Sequence, residues 1–349
     1  MSTTNVGVGL LGAGPVVQAI HLPTLARLQD RFTVRNIMDV SPEIAASVAA
    51  RVGADSSTSI EDLLSDEAVE VVAICSPSQF HAAQVIATMR AGKKAVLCEK
   101  PFAMSRAEAE EIAAVSAETG VPVIVGAMHT FDPGWLAVTE AWGDLPATAH
   151  TVRSRILLPP NARFEDWATE VITRPPFGGG DLSDPEVRAG MMAGGVLGLA
   201  IHDLPLVRTF VPDAGSLDVT FAELLTPFGY LIGLTADNRT VQLTGGINNQ
   251  WDPSWEFEAM SDTTHLRIDF TPSYVQAGSA VARLTVDGTT TVYGPFDFNG
   301  YEGEWRVLHE IATGDSSSAP ALESLIDDLT FAVDIAEASA SIARQETAA

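Results

Sequence analysis

The stretch VGVGLLGAGPVVQAIHLP, Val6–Pro23, decides the fold. Val6–Leu11 is a short apolar run carrying glycine, the pattern of a strand buried on both faces of a parallel sheet. Gly12-Ala13-Gly14 follows at once, and Pro15 comes next. Proline suits the first turn of a helix, where its missing N–H costs nothing, so a helix is expected over Pro15–Gln29. Strand, Gly-x-Gly turn and helix in that order form a phosphate cradle. Glycine lets the chain turn sharply and lets a pyrophosphate approach the backbone. The helix N-terminus, from Val16 after Pro15, then presents unpaired N–H groups and a partial positive charge to the anion. One position departs from the usual fingerprint: Val17 stands where Gly or Ala is normal, which should hold the helix slightly further from the strand.

Outward from this stretch, two periods alternate. Strands are expected at Thr33–Val40, Val69–Cys75, Ala95–Cys98 and Val121–Gly126, with helices at Pro42–Val52, Ile60–Ser65, Gln79–Ala91 and Ser105–Thr119. Ser41 and Ser105 are placed to cap helices, and Gly92 and Gly120 to close them. This rhythm predicts an α/β fold with a doubly wound parallel sheet, an N-terminal Rossmann domain over residues 1–125. Asp39 ends the second strand, 25 residues after Gly14. A carboxylate there accepts both ribose hydroxyls of NAD and repels the extra phosphate of NADP, and no arginine follows it. A nicotinamide dinucleotide is the expected cofactor, NAD ahead of NADP.

The rhythm changes after about residue 145. Ala147–Leu157, Leu217–Thr226, Tyr230–Ala236, Thr240–Gly245, Trp255–Met260, His265–Phe270, Ala280–Val286 and Thr289–Val292 read as strands separated by turns such as Asp287-Gly288. Glu165–Thr173 and Gly195–Val211 read as helices. Residues 126–349 are therefore expected to form a C-terminal α+β domain around an antiparallel meander. The amphipathic tail Leu322–Gln345 is expected to be a helix that packs back on the first domain. A length of 349 residues exceeds one comfortable core, which agrees with two domains.

Composition narrows the partners. A net charge of −25 disfavours nucleic acid and anionic membranes. No apolar stretch is long enough to span a bilayer, and the first residues lack the pattern of a signal peptide, so a cytoplasmic location is expected. Cys75 and Cys98 lie in apolar runs and read as core residues. No His, Cys, Asp and Glu set has metal-ligand spacing, so no metal is expected. The three lysines, Lys93, Lys94 and Lys100, all fall in one segment. Lys100 belongs to the corner Glu99-Lys100-Pro101 after the fourth strand. In a parallel sheet that corner borders the ligand crevice, so Lys100 is placed to stabilise a developing alkoxide. Pro101 restricts the backbone of Lys100 and can follow a cis bond.

Taken together, Gly12-Ala13-Gly14, His21-Leu22-Pro23, Asp39, Ser76-Pro77 with His81, Glu99-Lys100-Pro101, Phe131-Asp132-Pro133, and Gly194-Gly195 leading to His202 resemble the glucose–fructose oxidoreductase / inositol dehydrogenase / MocA family. Glu302–Ser341 is similar to that family's closing pattern. The resemblance implies NAD or NADP bound at Gly12, Gly14, Pro15, Val16, Asp39, Ser76, Pro77, His81, Glu99 and Lys100. It implies a sugar, cyclic polyol or related hydroxy or keto compound as substrate, held by Lys100, His129 and His202. Lys100 would orient the hydroxyl, and His202 would take its proton. It also implies that the sheet of the C-terminal α+β domain is open and mostly antiparallel, with a homodimer or homotetramer joined through it, and places His21 on the cofactor side. In the family, Asn or Arg often stands where this chain has His129 and Thr130, which points to an altered substrate.

The family usually carries an aspartate one helical turn before the catalytic histidine. Here that position is Gly198, and the often acidic third residue after it is Pro205. Asp203 is adjacent to His202 but points about 100° away on a helix. Asp181 or Asp184 could return to the site instead. A catalytically altered nucleotide-binding regulator or scaffold of the same fold stands as the alternative.

Overall fold

The computed structural model describes residues 4–174, 180–212, 214–247, 252–276 and 278–345. The chain divides into two compact units. The first comprises Met1–Gly126, Phe164–Pro175 and Tyr301–Leu329, and the second Ala127–Arg163, Pro176–Gly300 and Thr330–Ala349.

The first unit is built on β1 (Val6–Leu11), β2 (Phe32–Met38), β3 (Asp55–Ser57), β4 (Val71–Ile74), β5 (Ala95–Cys98) and β6 (Val123–Val125). All pairs are parallel, in the order β3-β2-β1-β4-β5-β6. The order runs outward in both directions from β1 and β4, so their carboxyl ends flank the switch point where doubly wound sheets bind ligands. β1, β4, β5 and β6 are buried along their whole length, as their unbroken apolar runs require. β3 was not legible: Asp55-Ser56-Ser57 is polar, and it is a strand because it pairs along β2. The expected caps are present. Ser41 Oγ accepts the Ile44 N–H at 3.4 Å, Ser105 Oγ accepts that of Glu108 at 3.3 Å, and Gly120 closes its helix at φ 73°. The first helix departs from expectation in its middle. Val17–His21 forms a π-turn, with the Leu22 N–H bonded to the Val17 carbonyl, and all five residues of that turn are buried.

The second unit carries β7 (Thr151–Leu158), β8 (Asp218–Leu224), β9 (Phe228–Ala236), β10 (Arg239–Ile247), β11 (Ser254–Met260), β12 (Thr264–Asp269), β13 (Val281–Val286) and β14 (Thr289–Tyr293). They form one sheet in the order β14-β13-β12-β11-β7-β10-β9-β8, antiparallel except where β7 meets β10. β11 shows the two faces: Trp255, Phe257 and Ala259 are buried, while Glu256 and Glu258 alternate with them. The register sets Glu256 opposite Arg155 and Glu258 opposite Arg153. Such exposed pairs contribute about 0–1 kcal/mol each and chiefly fix register. The buried face meets an aromatic cluster in which Trp135 lies edge-on to both Trp142 and Phe257, at 5.2 and 5.9 Å.

The expected helix Gly195–Val211 is not continuous. A helix begins at Pro185, capped by Asp184, and ends at Gly198. A tight turn, Ala200–His202, follows, and Leu204–Phe210 leaves with a bend of 73°. Glycine at the end and proline at the next start account for the break. No single helix among the described residues is long and apolar enough to cross a membrane.

Asp132 shows how the second unit is tied together. It is 2% exposed, its Oδ1 accepts the Gly134 N–H at 2.8 Å, and both oxygens accept the Ala280 N–H at 3.1 Å. It caps the helix Pro133–Thr139 and binds the segment before β13 with one carboxylate. Asp132→Ala strands these buried amides and is expected to lower the unfolding free energy by about 2–4 kcal/mol in urea titration. A change below about 0.5 kcal/mol would mean that water replaces the carboxylate without loss.

Candidate functional site

In the first unit the Gly-Ala-Gly turn is set by sterics. Gly12 has φ 98°, and a Cβ there would lie 2.8 Å from the Cys75 carbonyl oxygen. At Gly14 a Cβ would meet nothing within 4 Å, so this face of the turn is open. The Gln18 N–H bonds the Gly14 carbonyl at 3.1 Å, which starts the helix at that residue. No side-chain hydrogen bond caps the helix at Val16, and the π-turn that follows has no acidic residue in its first turn. An open glycine beside uncapped N–H groups fits a dinucleotide pyrophosphate.

Asp39 has a second task that its position in the sequence did not reveal. Its Oδ2 accepts the Ala13 N–H and its Oδ1 the Ser41 N–H, both at 2.9 Å. The carboxylate therefore braces the turn, while its remaining lone pairs stay available to ribose hydroxyls.

The corners after β4 and β5 are joined by His81, 1% exposed, which lies 2.7 Å from the carbonyl oxygens of both Ser76 and Pro101. Ser76 Oγ donates to Gln84 Oε1 at 2.6 Å. The Lys100–Pro101 peptide is cis. Burial pushes the Lys100 ammonium below its ordinary pKa, against the pull of Glu99. Burial alone would raise Glu99, but the hydrogen bond from His21 and the nearby charge of Lys100 hold it below the usual value.

His21 is fully buried. Its Nδ1 accepts the indole N–H of Trp305 at 3.1 Å, and an indole can only donate. The proton of a neutral His21 ring is therefore on Nε2, which donates to Glu99 Oε1 at 3.1 Å. Trp305, His21 and Glu99 form one directed chain that ends at the Glu-Lys-Pro corner. Burial drives the thiol pKa of Cys75 and Cys98 well up, and Glu99 adds to it, so neither is a reactive thiolate.

Sequence reading missed Glu304. It is 0% exposed, and neither carboxyl oxygen has a hydrogen-bond partner. Burial, and after it the charge of Glu99, raises its pKa well above the ordinary range. It is a neutral acid in the core of the first unit. No local pattern marks it, because burial, the main cause, belongs to the fold, and Glu99, the second, is 205 positions away.

In the second unit the structure redistributes the expected roles. Asp203 is 0% exposed and gathers three donors: His129 Nδ1 at 2.7 Å, Ser154 Oγ at 2.6 Å and Trp255 Nε1 at 3.0 Å. His129 stacks on Phe270 with ring centroids 3.7 Å apart. Asp203 thus orients His129. His202 is half-buried, with Nδ1 3.1 Å from the thioether of Met128 and its ring edge-on to Trp255 at 5.4 Å. Asp181 and Asp184 are exposed; each accepts a nearby backbone N–H, from Ser183 and Glu186, both at 2.9 Å.

Comparison with known proteins agrees with this architecture. Residues 6–127 match the family described as "Oxidoreductase family, NAD-binding Rossmann fold". An inositol 2-dehydrogenase of Acidothermus cellulolyticus is 30% identical over 316 residues, 85% of this chain and 89% of that one. This chain belongs to the Gfo/Idh/MocA oxidoreductase family. Other family relatives match over shorter spans. A 4-carboxy-2-hydroxymuconate-6-semialdehyde dehydrogenase of Sphingobium is 39% identical over 36% of this chain, and a 1,5-anhydro-D-fructose reductase of Ensifer adhaerens 31% over 59%. The chain spans only 39% and 56% of these two relatives' own lengths. A UDP-N-acetylglucosamine 3-dehydrogenase of Acidithiobacillus ferrooxidans shares the fold at TM-score 0.73 and 16% identity, covering 98% of this chain and 100% of that one. A 3-ketoreductase of Actinomadura kijaniata, solved with NADP and TDP-benzene, does so at TM-score 0.70 and 20% identity, covering 95% and 96%.

The neutral acid at Glu304 gives a test of the first unit. In the unfolded chain this carboxyl ionises near its ordinary value of 4.5, and in the fold well above it. Between those values the fold holds a proton that the unfolded chain releases, so this group's contribution to stability falls as pH rises. Glu304→Met is expected to raise the melting temperature, with a gain at least about 1 kcal/mol larger near pH 8 than near pH 5. Equal gains at both pH values would mean that Glu304 does not change protonation on unfolding.

Proposed function

We propose that this chain is an NAD(P)-dependent dehydrogenase or reductase acting on the CH–OH or C=O group of a sugar, cyclic polyol or related compound. The observation that carries the reading is the open Gly14 face beside uncapped N–H groups, set on the same sheet as the Lys100 corner. The names of its relatives, dehydrogenases and reductases of inositol and of 1,5-anhydro-D-fructose, support the substrate class. Asp39 supports NAD over NADP, because its carboxylate would repel a 2′-phosphate.

Gly12, Gly14 and the helix start would hold the pyrophosphate, Asp39 the adenosine ribose, and Ser76, Pro77, His81 and Glu99 the walls of the remaining groove. A bound nicotinamide supplies the hydride acceptor or donor. Lys100 hydrogen-bonds the substrate oxygen and stabilises negative charge as it develops there. Burial makes its ammonium a stronger acid and hence a better donor. His202 takes the hydroxyl proton in oxidation and returns it in reduction.

One observation favours a second assignment for the proton. Asp203 braces His129, and a carboxylate on Nδ1 fixes the tautomer so that Nε2 is left as the acceptor. In that reading His129 Nε2 does the work assigned to His202.

The test is nicotinamide reduction or oxidation with NAD and NADP against a panel of inositols, aldoses and their keto forms. Lys100→Ala is expected to lower kcat by at least about 100-fold while nucleotide affinity stays nearly intact. His202→Asn and His129→Asn separate the two assignments. The variant that removes the proton acceptor should abolish the acidic limb of the kcat/KM pH profile, while the other shifts only its magnitude. Tight nucleotide binding without turnover across the panel would favour a nucleotide-binding regulator of the same fold.

A further inference from the structure

Gln18 is 2% exposed, and its side-chain amide makes three hydrogen bonds. Nε2 donates to the Ala13 carbonyl at 2.8 Å and to the Ile172 carbonyl at 3.2 Å, and Oε1 accepts the Ile172 N–H at 2.9 Å. The amide orientation is fixed by its partners, since an N–H can only be met by Oε1 and a carbonyl only by Nε2. Ala13 is the centre of the phosphate turn. The main chain at Ile172 therefore lies within one amide of that turn, although 154 positions separate Ile172 from Gln18.

The segment that Gln18 captures is Phe164–Pro175, which belongs to the first unit. It is closed on itself at its far end. Arg174 Nε donates to Glu165 Oε2 at 2.6 Å, and another guanidinium nitrogen pairs with Asp166. Phe164 and Glu165 are buried, while Trp167 is 61% exposed. Between the latch and the ion pair, Thr173 sits at φ 60°. A β-branched residue enters that region only where its surroundings impose it. The segment is thus tied to the turn at Ile172, closed on itself through Arg174, and strained at Thr173 between them.

We propose that Phe164–Arg174 is a retaining strap of the dinucleotide site, latched to the phosphate turn by the Gln18 amide, and that the latch slows the release of a bound nicotinamide nucleotide. This rests on the nucleotide-binding reading given above. The amide that grips Ile172 also grips the Ala13 carbonyl of the turn, so a nucleotide leaving that turn would disturb the bonds that hold the strap. Gln18 is in this sense a positioning residue, acting through Ile172.

Stopped-flow release of NADH or NADPH, displaced by excess oxidised nucleotide, tests the latch. Gln18→Met keeps the side-chain volume and removes all three bonds. Ile172→Pro removes the N–H that Gln18 accepts and leaves the Gln18–Ala13 bond. Each is expected to speed release about tenfold. The double variant should be no faster than the faster single one, since both cut the same latch. As a measurement that needs no substitution, bound NADH should slow hydrogen exchange across residues 164–174 in the wild-type chain. Unchanged release in Gln18→Met, or faster release there without any effect of Ile172→Pro, overturns the strap; so does exchange in 164–174 that ignores the nucleotide. If the wild-type chain binds neither NADH nor NADPH, the strap and the nucleotide reading fall together. If it binds them and only the release rates ignore the latch, the strap alone falls.

Discussion

The backbone of Ala13 is gripped from both sides. Its N–H is taken by Asp39 at the end of β2, and its carbonyl by Gln18 in the first helix. A turn with a glycine at φ 98° does not hold its shape from local preference, because the same freedom that permits this conformation permits many others. The two side-chain bonds remove that freedom. They also make one residue the meeting point of the ends of β1 and β2, the first helix and the segment around Ile172. What a ligand meets at this turn is set by residues from three distant parts of the chain.

The buried carboxylates differ in the partners the fold gives them. Asp203 has three donors around it, from the Met128–Phe131 turn, β7 and β11, which satisfy its buried oxygens. Glu304 has none and keeps its proton. Burial is complete for both, so the difference lies in the donors and not in depth. Asp132 lies between these cases: burial raises its pKa, and the backbone N–H groups of Ala280 and Gly134 oppose the rise without cancelling it.

The legible parts of the fold were those whose signal is local. Strands buried on both faces announce themselves as apolar runs, and Ser105 or Gly120 mark their helix ends by chemistry that acts over three or four residues. The cradle was legible because steric demand at Gly12 is written into residue type. What was hidden depends on partners far along the chain. β3 is a strand because of β2, and the π-turn at Val17–His21 is a shift of backbone bonding that side-chain period does not encode. Asp203 was set aside on the geometry of a regular helix. The chain instead tightens at Ala200–His202 and bends, so the angle between neighbouring side chains no longer follows the helical rule. His129 was named as a site residue from the resemblance, but its carboxylate partner, 74 positions away, emerged only with the fold.

Asp39 carries a consequence for how this protein can diverge. Cofactor preference in dinucleotide folds is commonly altered by exchanging the acid at the end of the second strand. Here that acid also holds Ala13 and Ser41, so discarding it loosens the floor on which either nucleotide must rest. The neighbouring Val40 is 84% exposed and has no such duty in the core. A lineage drifting towards a phosphorylated coenzyme, or an engineer pushing it there, has a smoother path through a cation at residue 40 with the aspartate kept. On the proposed reading of Asp39, discrimination and scaffold are fused in one side chain, and that fusion channels which substitutions selection can reach first.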